Sequence, residues 1–319
     1  MTESTPTTLS VVIVNRNTAE LLLRCLEHVF ASDLAEPPEI IVVDNGSTDD
    51  SVKRVKKSYP QVIIIEAGRN LGFAAANNRA FEKATSRFLL LVNTDAMLGK
   101  DCATRLVNLL EGDPLIGMAG PQLLNADGSA QTSFEAVPTL ATETLNRSLL
   151  KRLFPNKYPG KGRVFTGPES VETLIGAVMM IRRDALDELK GFDEDYFFFL
   201  EETDLAVRMR KAGWKVVHEP AAKAVHLQGA TAKTYRAGGR IEFYRSRYVF
   251  FRKHYGTVAM RALQVVMIAN LTLNVLGLGI ANAATLGRIR DIAGQFHVRS
   301  QLWRWHLKGC PDGWGLPRE

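Results

Sequence analysis

The chain has 319 residues, 46% of them hydrophobic and 23% charged, which supplies apolar material for a large core in one domain or two and excludes a disordered polymer. Forty Lys and Arg against thirty-four Asp and Glu leave a formal charge of +6, a mild excess that suits phosphate-bearing ligands or anionic lipid and is too small to argue for nucleic acid. The three cysteines, Cys25, Cys102 and Cys310, are far apart with no Cys-x-x-Cys, which speaks against a disulfide framework or a zinc site and fits a reducing cytosol; residues 1–10 lack an apolar run of signal-peptide length, so export is not expected.

Residues 1–8 read as a disordered N-terminus. Short β-branched apolar runs follow at 9–14, 40–43, 62–65 and 88–92, each ending in Asn, Asp or Gly, as buried parallel strands do. Helical spacing over 19–30, 51–58 and 73–84 separates them, and this alternation predicts an α/β doubly wound sheet. Residues 129–173 break the pattern with Pro, Gly, Thr and a basic cluster (Lys151, Arg152, Lys157, Lys161, Arg163), read as a long lid over the ligand edge. A strand is predicted at 174–181, a helix at 203–212 and a strand at 215–218. Residues 262–287 carry no charge, but Gln264, Asn270, Thr272, Asn274, Asn282 and Thr285 would be costly facing lipid. Arginines flank both ends, so the segment reads as helices lying in or against a cytoplasmic membrane face, with a helical cap, a homodimer surface or a true span as alternatives.

In open α/β sheets ligands gather beyond the carboxyl ends of the strands. Asn93-Thr94-Asp95 stands there behind a buried run, placed for a metal-bound phosphate, although three such residues alone more often make a polar turn. Asp44, opening Asp44-Asn45-Gly46-Ser47-Thr48-Asp49, faces the same crevice, where its carboxylate can accept the imide N–H of a uracil or thymine. The small residues of Asn70-Leu71-Gly72-Phe73-Ala74 allow a nucleotide to approach the backbone. Glu201 and Glu202 follow the apolar run 196–200. Crowding and desolvation there raise a carboxyl pKa toward that of a useful base, so either acid could deprotonate a hydroxyl. His226 ends another apolar stretch and could complete a metal shell. Two further patterns carry nothing: Gln301-x-x-Arg304-Trp305 lies too far from the acids to match a polysaccharide synthase, and Gly277-x-Gly279 follows no strand.

In order, the stretches 11–17, 42–49, 70–77 and 91–95, then Gly176-Ala177, Gly191-Phe192-Asp193, 201–205, 212–214 and His226, resemble glycosyltransferase family 2, closest to its rhamnosyltransferase-like, non-processive members, over roughly 9–256. The resemblance implies a GT-A nucleotide-sugar-binding fold with a mostly parallel sheet. A catalytic domain would span 9–256, with a nucleotide-binding half to about 128 and an acceptor half from 129, before a helical, membrane-associated tail at 257–319. It implies an inverting hexosyltransferase using Mg²⁺ or Mn²⁺, with rhamnose from dTDP-rhamnose moved onto a lipid-linked or polysaccharide acceptor in cell-envelope synthesis, on the cytoplasmic face of the inner membrane. Alternatives are another donor (UDP-hexose, GlcNAc or galactofuranose), a nucleotidyltransferase, or a non-catalytic nucleotide-sugar-binding protein. By position, Asn15, Asn17, Asp44, Asn70, Asn93 and Asp95 would hold the donor, and Asp95 with His226 the metal. Glu202, with Glu201 beside it, would be the base, and Gly176, Ala177 and Asp193 would border the acceptor. Tyr244, Arg245 and Arg247 would hold an acceptor diphosphate. The chain departs from the family's usual Asp-x-Asp at Asn93, and has Glu where the base is usually Asp.

Overall fold

The computed structural model describes residues 8–145, 152, 165–227 and 236–318. Strands β1 (Leu9–Asn15), β2 (Glu39–Asp44), β3 (Ile63–Glu66) and β4 (Phe88–Val92) lie side by side in the order β3-β2-β1-β4, all parallel. Their side chains divide by alternation. Val11, Ile13, Val42 and Leu90 join the core on one face, with α1 (Ala19–Phe30) and α4 (Cys102–Gly112); Val12, Ile41, Val43, Leu89 and Leu91 join the other, with α3 (Phe73–Lys83). A strand buried on both faces reads as a continuous apolar run, which is why β1, β2 and β4 are plain in the sequence; β3, at the sheet's edge, is only half-buried.

The sheet continues through β10 (Val178–Arg182), β6 (Ile116–Leu124), β11 (Lys215–His226) and β5 (Ala96–Leu98). β10 runs antiparallel to both neighbours and β5 antiparallel to β11, so the sheet is mixed but mostly parallel. The strand expected at 174–181 is two: β9 (Thr173–Leu174) pairs with β7 (Phe134–Glu135) in a separate ribbon, and Ile175-Gly176-Ala177 steps from there into β10. The expected strand at 215–218 extends to His226 across a register shift between Glu219 and Lys223, where Pro220 interrupts the ladder. The segment 129–173 is less irregular than expected, holding β7, a short helix α5 (Leu140–Thr144) closed by a capping box at Thr139, and β8 (Glu169–Ser170). The expected disorder of 1–8 and the basic cluster lie outside the described residues, except Thr8 and an exposed Arg152.

After β10 come α6 (Arg183–Glu188) and α7 (Glu201–Lys211), the latter taking both acids into its first turn. Beyond β11, α8 (Arg236–Ala284) is two helices joined at a kink at Gly256, whose φ of 86° is non-helical. Its first part packs against α5 and α7, and its second forms an antiparallel pair with α9 (Arg290–Leu307). Trp305, expected on a surface helix, is fully buried against Tyr248 in a third core with Phe250, Phe251 and Leu263.

Candidate functional site

Three strand ends and one helix start converge at the carboxyl edge of the sheet. At the end of β1, the Asn15 amide donates to Asp44 Oδ1 (3.1 Å) and Ser47 Oγ (3.0 Å), and the Ser47 backbone N–H donates to Asp44 Oδ2 (3.1 Å). Asn17 sits at φ 55° and its side-chain oxygen accepts from the N–H groups of Thr48 (2.7 Å) and Asp49 (3.2 Å). These bonds fix the loop after β2, where Gly46 (φ 75°) leaves no room for a Cβ against the Arg69 backbone. Asn45 ties the next loop in. Its amide donates to Asn70 Oδ1 (3.0 Å), and its oxygen accepts from the Leu71 N–H (2.7 Å). Asn15, Asn17, Asp44 and Asn70 thus form one polar network across β1, β2 and the loop after β3.

Asn93-Thr94-Asp95 turns the chain from β4 into β5. The Asn93 N–H donates to the Ala177 carbonyl (2.9 Å), the Asn93 carbonyl accepts from Ala96 (3.0 Å), and Thr18 donates to Thr94 Oγ1 (3.0 Å). Cys25 lies beneath; burial first, and then the Asp95 charge, push its thiol up to about 12, so it is inert packing rather than a nucleophile. His226 Nε2 faces Asp95 Oδ1 at 3.4 Å. The far side of the ring is set by Gln131, whose amide nitrogen donates to the carbonyl of His226 (2.8 Å) and to Asn125 Oδ1 (2.9 Å). Its oxygen is therefore left to accept from His226 Nδ1 (2.9 Å). With the proton on Nδ1, the Nε2 lone pair points at a carboxylate oxygen, an arrangement relieved by a cation or a second proton between them. Among the described residues no group of three or more His, Cys, Asp or Glu converges on a metal. A divalent ion held by Asp95 and His226 would need its remaining ligands from substrate oxygens and water, which is the usual arrangement for Mg²⁺ on a phosphate.

The acid pair is delivered by strained backbone. Phe199 and Leu200 both have positive φ (76° and 67°), conformations that non-glycine residues adopt only when their surroundings impose them. Glu201 is 5% exposed and its Oε2 has no hydrogen-bond partner among the described residues; burial, then the neighbouring Glu202 charge, raises its pKa well above the usual carboxylate range. Glu202 lies along the Gly176 backbone, where a Cβ would meet its Cγ at 3.4 Å and Cδ at 3.5 Å. Burial, reinforced by the Glu135 charge, brings it to about 7. Gly176 and Ala177 therefore join Glu202 to the Asn93 turn.

The other expected residues have partners elsewhere. Asp193 accepts from Lys253, which also reaches the buried Asp204 (2.8 Å). Arg245 pairs with Glu242, Arg247 pairs with Glu143 (2.7 Å), and the Tyr244 ring packs edge-on to His306. Gln131, Asn45 and Glu242 are contributors that sequence reasoning passed over.

A mostly parallel sheet with a polar network at its carboxyl edge, a carboxylate–imidazole pair and a high-pKa acid defines an α/β enzyme of the GT-A type. The profile described as "Glycosyl transferase family 2" matches residues 10–190, and the chain belongs to that family as a glycosyltransferase. It is 28% identical over 229 residues to N-acetylglucosaminyl-diphospho-decaprenol L-rhamnosyltransferase of Mycobacterium tuberculosis, covering 67% of this chain and 74% of that protein. It is 24% identical to the O-antigen chain rhamnosyltransferase WbaN of Salmonella anatum, over 65% of this chain and 62% of that one. In fold it is similar to the mannosyltransferase PcManGT from Pyrobaculum calidifontis, solved with GDP-Man and Mn²⁺, at a TM-score of 0.56 and 18% identity, over 97% of this chain and 88% of that one.

Proposed function

We propose that the protein is an inverting, metal-dependent transferase that moves rhamnose from dTDP-rhamnose onto a lipid-linked or polysaccharide acceptor in cell-envelope glycan synthesis, on the cytoplasmic face of the membrane. The observation that carries this reading is the junction at Gly176-Ala177: one residue packs against Glu202, and the next binds the Asn93 turn that carries Asp95. The junction thereby links the residue proposed as base to the turn that carries the carboxylate proposed for the diphosphate. The activities for which the M. tuberculosis and S. anatum relatives are named support rhamnose, and the former supports a polyprenyl-diphosphate acceptor.

Asp44, oriented by Asn15 and Ser47, accepts the imide N–H of the pyrimidine. Asn17 and Asn70 hold the flanking loops. Asp95 and His226 would hold Mg²⁺ or Mn²⁺, which when bound supplies positive charge for the leaving diphosphate; the Mn²⁺ in the PcManGT structure is in keeping with use of a divalent ion. Asn93 in place of a first acid leaves Asp95 as the main anchor. Glu202 takes the acceptor hydroxyl proton as its oxygen attacks the anomeric carbon from the face opposite the departing diphosphate, which inverts the configuration.

The test is incubation of the protein with Mg²⁺ or Mn²⁺, UDP-, dTDP- and GDP-sugars and lipid-linked acceptors, following nucleotide release. Release from dTDP-rhamnose above the other donors is expected. Release unchanged in Asp95→Ala and Glu202→Gln, or none with any donor, would overturn the mechanism.

A further inference from the structure

The segment after α9 returns to the catalytic domain and ends against the loop assigned to the donor base. It is held by a built dock. Arg245, inside the first part of α8, donates through one guanidinium nitrogen to the carbonyls of Pro311 (3.1 Å), Asp312 (3.3 Å) and Trp314 (2.7 Å). The Trp305 indole also donates to Pro311 (3.0 Å). Glu242, whose carboxylate is fully buried, pairs with Arg245, accepts from the Leu316 N–H (3.3 Å) and pairs with Arg318 (3.3 Å). Two glycines permit this approach. A Cβ on Gly238 would stand 2.7 Å from the Gly315 carbonyl, and one on Gly315, at φ 119°, would stand 2.2 Å from Glu242 Oε1.

From this dock the segment reaches two elements of the site. The Pro317 carbonyl accepts from the Asn70 side-chain amide at 2.6 Å, which fixes the amide's orientation and leaves its oxygen to accept from Asn45 (3.0 Å) and the Gly72 N–H (3.2 Å). The Arg318 guanidinium lies over Phe197 at 4.5 Å, and the Phe197 carbonyl accepts from the Phe73 N–H (2.8 Å) just past Gly72. Both ends of the loop Asn70-Leu71-Gly72-Phe73 are thus set through partners that the segment touches, and Asn45 connects that loop to Asp44.

We propose that residues 315–318 form a strap that positions Asn70 and its loop for the pyrimidine nucleoside diphosphate part of the donor. This rests on the assignment of Asp44 and Asn70 to the donor site. The strap residues are positioning residues: their loss weakens nucleotide binding through Asn70, without touching the base at Glu202.

The probe is titration calorimetry with dTDP and with UDP in the presence of Mn²⁺, on the full chain and on Arg318→Ala, Gly315→Ala, Asn70→Ala and the Asn70→Ala/Arg318→Ala double variant, each but Gly315→Ala first checked for an unchanged thermal midpoint. Arg318→Ala is expected to weaken nucleotide binding about fivefold and to add little to Asn70→Ala, because groups acting through one another are not additive; Gly315→Ala, whose Cβ displaces the strap, is judged by circular dichroism for a folded state instead of by its midpoint and should weaken binding at least as much. Kinetically, the donor KM should rise with kcat nearly retained. Folded strap variants that bind dTDP and UDP like wild type while Asn70→Ala is weakened overturn the strap alone, as do effects of Asn70→Ala and Arg318→Ala that multiply independently. No binding of either nucleotide by the wild-type protein, or undiminished binding by Asp44→Ala, overturns the donor-site assignment and the strap with it.

Discussion

At the residue scale the proposed mechanism gives the two acids of α7's first turn separable roles. Glu202 is raised to about 7 and must be deprotonated to act as a base, so kcat/KM should climb with pH and level off above about 7. Glu202→Gln should lose about 10²–10⁴ in rate, on the scale of general-base removal. A pH profile that is flat from 5.5 to 8.5 would count against this role. Glu201 affects stability instead. Its folded pKa lies above its unfolded value, so the folded state binds the extra proton: the stabilisation is full below the ordinary carboxylate range and is lost as pH rises through the raised value. Glu201→Gln should therefore raise the thermal midpoint at pH 8 by about 2–4 °C, the shift expected for ~1 kcal/mol, and give a smaller gain at pH 5. Thermal melts of both proteins at the two pH values check this. Asp44 and Asp95 were legible in the sequence because each closes a continuous apolar run, and such a run ends at the ligand edge of the sheet. Gln131 was not: it orients His226 from 95 positions away in a segment with no periodic pattern. Nor was the contact between Asn70 and Pro317, which are separated by 247 positions.

At the element scale the sequence exposes the strands buried on both faces and hides those that neighbours cross closely. β6 reads Ile-Gly-Met-Ala-Gly-Pro-Gln, a loop-like composition, yet its glycines admit close packing: a Cβ would meet Trp214 at 2.9 Å from Gly117 and Leu174 at 3.0 Å from Gly120. The same demand appears at Gly72 (φ 86°), where a Cβ would stand 2.4 Å from the Phe197 carbonyl. Gly72→Ala should destabilise the protein by about 2–4 kcal/mol, from left-handed strain and steric conflict together, and a denaturant titration measures it. The helix carrying the acids is fastened to α8 by Asp204, whose side chain is fully buried. Burial would raise its pKa, but His254 (2.8 Å), Lys253 (2.8 Å) and Arg208 (2.7 Å) lower it to about 2. This contribution is full above the ordinary Asp value and lost as pH falls toward 2. Asp204→Ala removes the buried carboxylate that His254, Lys253 and Arg208 share and should cost about 3–5 kcal/mol, a fall of about 10 °C in thermal midpoint at pH 7. A loss under 1 kcal/mol in a chemical melt would show that the network does not fasten α7.

At the scale of the whole molecule the second part of α8 has two unlike faces. Met260, Leu263, Met267 and Leu271 are buried in the core shared with α9, whereas Val258, Val265, Leu273, Leu276 and Ile280 fall along one helical stripe and are exposed, by 85% at Val258 and 72% at Ile280. Among the described residues this is the one helix long and apolar enough to cross a membrane, but the buried inner face and the exposed Asn270 and Asn274 favour lying along the surface instead. Arg261 stands near the start of the stripe and Arg288 and Arg290 beyond its end, all exposed and placed for anionic headgroups. Flotation with phosphatidylglycerol vesicles should recover the wild-type protein, more weakly as salt rises. Leu273→Glu/Ile280→Glu should reduce recovery at least tenfold, since each side chain contributes roughly 1–2 kcal/mol when buried in the interface. The same variant should keep its nucleotide affinity, because neither residue contributes to the network around Asp44. If wild-type protein fails to float and instead forms a dimer in light scattering that the double substitution abolishes, the stripe serves a second copy of the chain and not a bilayer.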